Sequence, residues 1–124
     1  RYAHPEDGRD DVALEEGFLG FGRAAADDGG HYEFVTVKPG PVPAPGGGMQ
    51  APHIEVAVLA RGVLKRLATR IYFPDEAEAN AADPVLSSVP DEQARARLVA
   101  VQEDGGLRFD IHLQGDHETP FFAV

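Results

Sequence analysis

His53-Ile54-Glu55-Val56-Ala57-Val58-Leu59-Ala60 and Leu67-Ala68-Thr69-Arg70-Ile71-Tyr72-Phe73 decide the class of fold. The first run is nearly all apolar after its start. The second is rich in β-branched and aromatic residues, and Pro74 ends it because proline has no N–H to give a ladder. Both have the length of strands. Upstream, His31-Tyr32-Glu33-Phe34-Val35-Thr36-Val37 alternates two sets of side chains, which predicts a strand with one face buried. Downstream, 98–101 and 107–113 predict a closing pair around the turn Glu103-Asp104-Gly105-Gly106. Pro39 to Gly48 holds four prolines and four glycines, which predicts a long shaped loop without a regular element. Asp75 to Ala82 and Asp91 to Arg97 each have room for one or two helical turns. Many short strands, Gly/Pro turns and little helix predict an all-β chain: an antiparallel β-sandwich with long loops and one or two short helical turns, in a single domain over residues 1–124.

The 124 residues suffice for one compact core, and a hydrophobic fraction of 43% is ordinary for a globular chain. The formal net charge of -10 repels phosphate backbones and anionic lipid, so nucleic acid and membrane surfaces are poor partners. There is no cysteine, hence no disulfide framework or thiolate metal site, which fits a cytoplasmic location. No apolar run approaches the roughly 20 residues of a membrane helix. The chain opens on Arg1-Tyr2-Ala3-His4-Pro5, without an initiator Met or a signal-peptide apolar region, and is expected to be part of a longer protein.

Metal chemistry has two candidate pairs, His31-Tyr32-Glu33 and His53-Ile54-Glu55. On a strand, residues two apart share a face, so each pair can present an imidazole and a carboxylate together. Nothing in the sequence makes the two pairs converge, and the plainer expectation is solvent-facing or hydrogen-bonded strand residues. Ser87 and Ser88 lie in a turn outside any nucleophile-elbow context. Gly46-Gly47-Gly48 is not followed by the Lys-Ser or Lys-Thr of a phosphate loop. The Asp/Glu residues are plentiful but scattered. The residues alone go no further than a β-sandwich, with a binding module among the open readings.

Four stretches carry a resemblance: Thr36-Val37-Lys38-Pro39-Gly40-Pro41; Ala51-Pro52-His53-Ile54-Glu55-Val56-Ala57-Val58-Leu59-Ala60-Arg61-Gly62; Thr69 through Asn80; and Arg108-Phe109-Asp110-Ile111-His112-Leu113-Gln114-Gly115 with Glu118-Thr119 and Phe121-Phe122. They resemble the intradiol ring-cleavage dioxygenases, and within that family the alpha chains of the two-chain enzymes acting on protocatechuate. The resemblance implies a ring opening of protocatechuate with O2, giving 3-carboxy-cis,cis-muconate. It also implies Fe(3+) held by two tyrosinates and two histidines of a beta subunit, and an alpha-beta hetero-oligomer. Hard phenolate donors suit a hard ferric ion, which polarises the bound catecholate.

The same resemblance implies that this chain holds no metal and no catalytic residue of its own. Val42 stands where the iron-bearing chains have a ligand Tyr, and His53-Ile54-Glu55 stands in place of His-x-His. Gln50 replaces an Arg, and residues 8–12 lack the second ligand Tyr. Arg61 is the residue it singles out, as a guanidinium on the wall of the shared pocket that orients the substrate carboxylate. The alternatives for Arg61 are an interface ion pair or a solvent-facing strand end. Two other readings compete: a self-sufficient catechol or hydroxyquinol dioxygenase, which the missing tyrosines oppose, and a transthyretin-like sandwich that only binds. The family's N-terminal portion is expected to lie upstream of Arg1, and a chain lacking it is expected to be poorly soluble alone.

Overall fold

A two-stranded antiparallel ribbon organises the chain: β3 (His53–Val58) runs against β4 (Leu67–Tyr72), with His53 opposite Tyr72 and Val58 opposite Leu67. The computed structural model describes residues 22–59 and 66–122. Ile54, Val56, Thr69 and Ile71 give the ribbon its β-branched character, and Glu55 lies directly opposite Arg70, an opposite-charge pair that favours this register. The ribbon is buried at one end only. His53, Tyr72, Ile71 and Phe73 are covered, whereas Leu59 at the far end is 80% exposed.

The outer edge of β4 is occupied. Tyr72 N–H donates to Leu98 O at 2.8 Å, and Ala100 N–H donates to Tyr72 O at 2.9 Å. Further along the strand, Phe122 N–H donates to Ala68 O at 2.8 Å, and Thr69 Oγ1 donates to Pro120 O at 2.9 Å. These single bridges satisfy backbone groups that an open edge would leave to water. The core sits at the covered end, where Ala51, Tyr72, Leu86 and Leu98 pack together with Ala79, Val89, Val99 and Phe122 at its margin.

Three short helices close this end among the described residues: α1 (Ala77–Ala82), α2 (Pro84–Ser87) and α3 (Glu92–Ala96). Each start has a local cause. Asp83 caps α2 by accepting from Val85 N and Leu86 N, with Pro84 in the first turn. Asp91 caps α3 through Gln93 N. α1 has no side-chain cap, but Asn80 on it is buried and donates from Nδ2 to Phe73 O at 2.9 Å, tying the helix to the end of β4.

Asp83 does more than cap. Its side chain has no solvent exposure. Oδ2 accepts from Ala51 N at 2.7 Å and Oδ1 from the Tyr72 hydroxyl at 3.2 Å, besides the two cap bonds of 2.9 Å each. A buried carboxylate is tolerated only when its lone pairs are met by donors. One side chain therefore fixes α2, the corner before β3, and the ring of Tyr72.

Several expectations need correction. Residues 31–37 form no strand among the described residues. Tyr32 is half-buried and donates its hydroxyl to Phe109 O at 2.6 Å, but Phe34 is 44% and Val35 95% exposed, so alternation found no ladder partner and no buried face. The Pro/Gly loop does contain a small hairpin: β1 (Val42–Pro43) pairs with β2 (Met49–Gln50). Gly47 at φ 99° and Gly48 at φ 77° make the turn that lets Ala44 N–H reach Gly48 O. The closing pair is shorter than predicted, β5 (Val101–Glu103) against β6 (Gly106–Arg108), because Leu98 and Ala100 are taken into the core and onto β4 instead. Its turn is as expected, with Gly105 at φ 84°. α2 was not anticipated. The described strands form three two-stranded antiparallel sheets, joined by an antiparallel bridge between Ala68 and Phe122 and a parallel one between Tyr72 and Val99, with short helices among them.

Asp83→Ala removes all four contacts at once and leaves Ala51 N–H and the Tyr72 hydroxyl buried. It is expected to cost about 3 kcal/mol in urea unfolding, with Asp83→Asn intermediate because the amide keeps acceptor capacity. A cost under ~1 kcal/mol for the alanine variant would contradict this role.

Candidate functional site

Strand register brings one connected set of polar side chains to the buried end of the ribbon. Arg70 points from β4 between β2 and β3, and its side chain is 13% exposed. Nη1 donates to Gln50 Oε1 at 2.8 Å and to the Tyr72 hydroxyl at 3.4 Å. Nη2 donates to Glu55 Oε1 at 3.2 Å. Gln50, itself buried, donates from Nε2 to Pro43 O at 3.1 Å, which fixes the β1–β2 hairpin beside the guanidinium. The Tyr72 hydroxyl passes the network on to Asp83.

His53 completes the set. It is 3% exposed, its Nδ1 lies 2.7 Å from Ala51 O, and its ring is 5.7 Å from that of Tyr72. Nε2 stands 3.8 Å from Glu55 Oε1, so the imidazole and carboxylate do share a face, as strand alternation requires. Burial holds the His53 imidazole below its usual pKa, and the Arg70 charge acts in the same direction. Burial also pushes the Tyr72 phenol up to about 12, so it serves as a neutral donor and acceptor. A cleft of about 410 Å³ opens over Arg70 and Gln50, walled by Ala44, Pro45, Pro84 and Val85.

The two His-x-Glu pairs have different fates. His31 and Glu33 are 3.7 Å apart and exposed. His53 and Glu55 join the buried network. No three His, Asp or Glu side chains converge into a metal-binding group among the described residues. Position 42 is a buried valine with no donor atom, and the centre of the cluster is a guanidinium. A fixed cation at hydrogen-bond distance from the carboxylate and amide oxygens opposes a ferric ion by like-charge repulsion. The residues described here do not fit iron.

Arg61 lies outside the described residues, as do residues 8–12. Lys38 has more structure than a surface lysine: Nζ pairs with Asp75 at 2.9 Å and Glu76 at 2.7 Å and sits 5.5 Å from the centre of the Phe73 ring. It clamps the start of the Pro/Gly loop to the end of β4, and its partners raise its pKa while it lowers that of Asp75. Arg70, Tyr72 and Asp83 escaped sequence reading. Asp83-Pro84 is a helix-start signal that points to Asp83. Arg70 emerges only from the register that puts it opposite Glu55.

The His53 shift has a definite sign. Above pH ~6.5 the imidazole is neutral in both folded and unfolded chains and contributes nothing. As pH falls through that value the unfolded chain takes up a proton that folded His53 resists, so stability falls until the folded imidazole is itself protonated. Urea midpoints from about pH 7.5 to about pH 5 should drop more steeply for the wild type than for His53→Gln, whereas parallel curves would contradict it.

A sequence model of the family described as dioxygenase matches residues 1–115. The protocatechuate 3,4-dioxygenase alpha chain of Burkholderia cepacia is 49% identical over 123 residues, covering 94% of this chain and 59% of that one. The corresponding alpha chain of Pseudomonas putida is 45% identical over 119 residues, 92% of this chain and 59% of that one. The Burkholderia cepacia protocatechuate 3,4-dioxygenase beta chain is 36% identical over 130 residues, 97% of this chain and 54% of that one. The chain thus spans 59% of the length of the alpha chains it matches. With the family model matching nearly its whole length and alpha and beta chains of one enzyme among its relatives, the chain belongs to the dioxygenase family.

Proposed function

We propose that this chain is the non-iron-binding alpha subunit of a protocatechuate 3,4-dioxygenase, acting in the cytoplasm with a catalytic beta subunit. The pair converts protocatechuate and O2 to 3-carboxy-cis,cis-muconate. The observation that carries the reading is the donor set: Val42 and Glu55 in place of ligands, with Arg70 between Gln50 and Glu55. Higher identity to the alpha chains, 49% and 45% against 36% for the beta chain, favours the same subunit.

In this reading the beta subunit's ferric ion supplies the Lewis acidity that polarises the catecholate. This chain supplies an interface and one wall of the pocket. Arg61 is the substrate-binding residue, and its guanidinium pairs with the carboxylate that distinguishes protocatechuate from catechol. The chain contributes no catalytic residue and no metal ligand. Its fold is one antiparallel β-sandwich domain over residues 1–124.

The test is co-expression with a beta subunit and assay of ring opening. Activity is expected only from the pair. Arg61→Ala should lower kcat/KM for protocatechuate by about 10-fold to 100-fold, mainly through KM, and leave catechol turnover unchanged. Equal losses on both substrates would remove the carboxylate role. Ring cleavage by this chain alone would remove the subunit reading itself.

A further inference from the structure

The cluster at the end of the ribbon has the composition of a cation site. Oxygen donors reach it from three segments: Gln50 Oε1 from β2, Glu55 Oε1 from β3, and the Tyr72 hydroxyl from β4. Behind Tyr72 lies the Asp83 carboxylate, without solvent exposure. Glu55 is 58% exposed and shares its charge with water, but Asp83 has no such relief. The strands hold these oxygens toward one point, and the group at that point is the Arg70 guanidinium. Its planar fork makes separate bonds with Nη1 and Nη2, which an ammonium on a single axis cannot reproduce.

We infer that Arg70 is the resident cation of a pre-filled cation site: the guanidinium balances the donors of β2, β3 and β4 and the buried Asp83, in the place a metal ion would otherwise take. The consequence goes beyond missing ligands. Replacing Val42 with a metal-binding residue does not open the site while Arg70 remains. The inference stands on the cluster alone and holds whether or not the chain pairs with a catalytic subunit.

Chemical rescue separates charge from packing. Thermal unfolding of the full chain is compared for the wild type, Arg70→Ala, Arg70→Met and Arg70→Lys. Arg70→Ala leaves a guanidinium-sized space beside uncompensated oxygens, and its Tm should fall by about 10 °C. Guanidinium chloride at millimolar, non-denaturing concentration should restore much of that fall, while equimolar urea or sodium chloride should not. Arg70→Met fills the space without charge and should be destabilised but not rescued. Arg70→Lys should fall between wild type and alanine. If Arg70→Ala does not fold, the same rescue is read as recovery of the far-ultraviolet circular dichroism signal. An alanine variant as stable as wild type, or one that guanidinium helps no more than urea does in either the thermal or the refolding assay, would overturn the proposal.

Discussion

Asp83 is a carboxylate sealed from water, and that constraint organises the described structure. Its oxygens accept from Val85 N, Leu86 N, Ala51 N and the Tyr72 hydroxyl. Since an ionised carboxylate must be met by donors when buried, these four groups cannot drift independently. α2, the corner between β2 and β3, and the ring of Tyr72 are therefore set by one side chain. Leu86, which follows the cap within α2, enters the core with Ala51, Tyr72 and Leu98. Hydrophobic burial supplies the driving force here, and Asp83 determines which surfaces meet.

The same network runs without a break from the scaffold to the candidate site. Tyr72 links Asp83 to Arg70, and Arg70 links Gln50 to Glu55. His53 packs on Tyr72 and bonds toward Ala51, the residue whose N–H Asp83 holds. A site built this way is rigid, because each member is oriented by a neighbour that is itself buried or on the ribbon. It is also electrostatically complete: the guanidinium meets the Glu55 carboxylate at hydrogen-bond distance and is linked to Asp83 through the Tyr72 hydroxyl. That completeness distinguishes it from a site kept open for a metal ion, where donors converge on a space. It fits the proposed division of labour, in which an iron-bearing partner performs the chemistry and this chain shapes the pocket.

Much of the ribbon was legible because its signals are local. β-branched runs marked β3 and β4, Pro74 marked the end of the second, Asp104-Gly105 marked the last turn, and Asp91 marked α3. The misses share one cause, dependence on a distant partner. Residues 31–37 alternate as a strand should, but alternation states a face and not a ladder, and all but Tyr32 remain exposed in the described structure. Leu98 read as the start of a closing strand and instead became core, since Tyr72 takes the backbone groups on either side of Val99. For the site, family resemblance pointed to positions 42, 50, 53 and 55; the hairpin and ribbon bring Gln50 and Glu55 onto Arg70, with His53 beside Glu55 and Val42 opposite Gln50. Arg70 itself looked like an ordinary strand residue, because cross-strand register is a pairing property that a single segment does not carry. The role of Asp83 was within reach through the Asp-Pro step that starts α2.

The central claim is that this chain's own donor cluster does not take iron. The most direct test is titration of the isolated full chain with ferric ion, followed by visible absorption and by iron retained after gel filtration. The account predicts no tyrosinate-to-iron charge-transfer band and no retained iron. A stoichiometric band from this chain alone, abolished by His53→Gln, would show that Arg70 does not close the site and that the donors around it do bind metal.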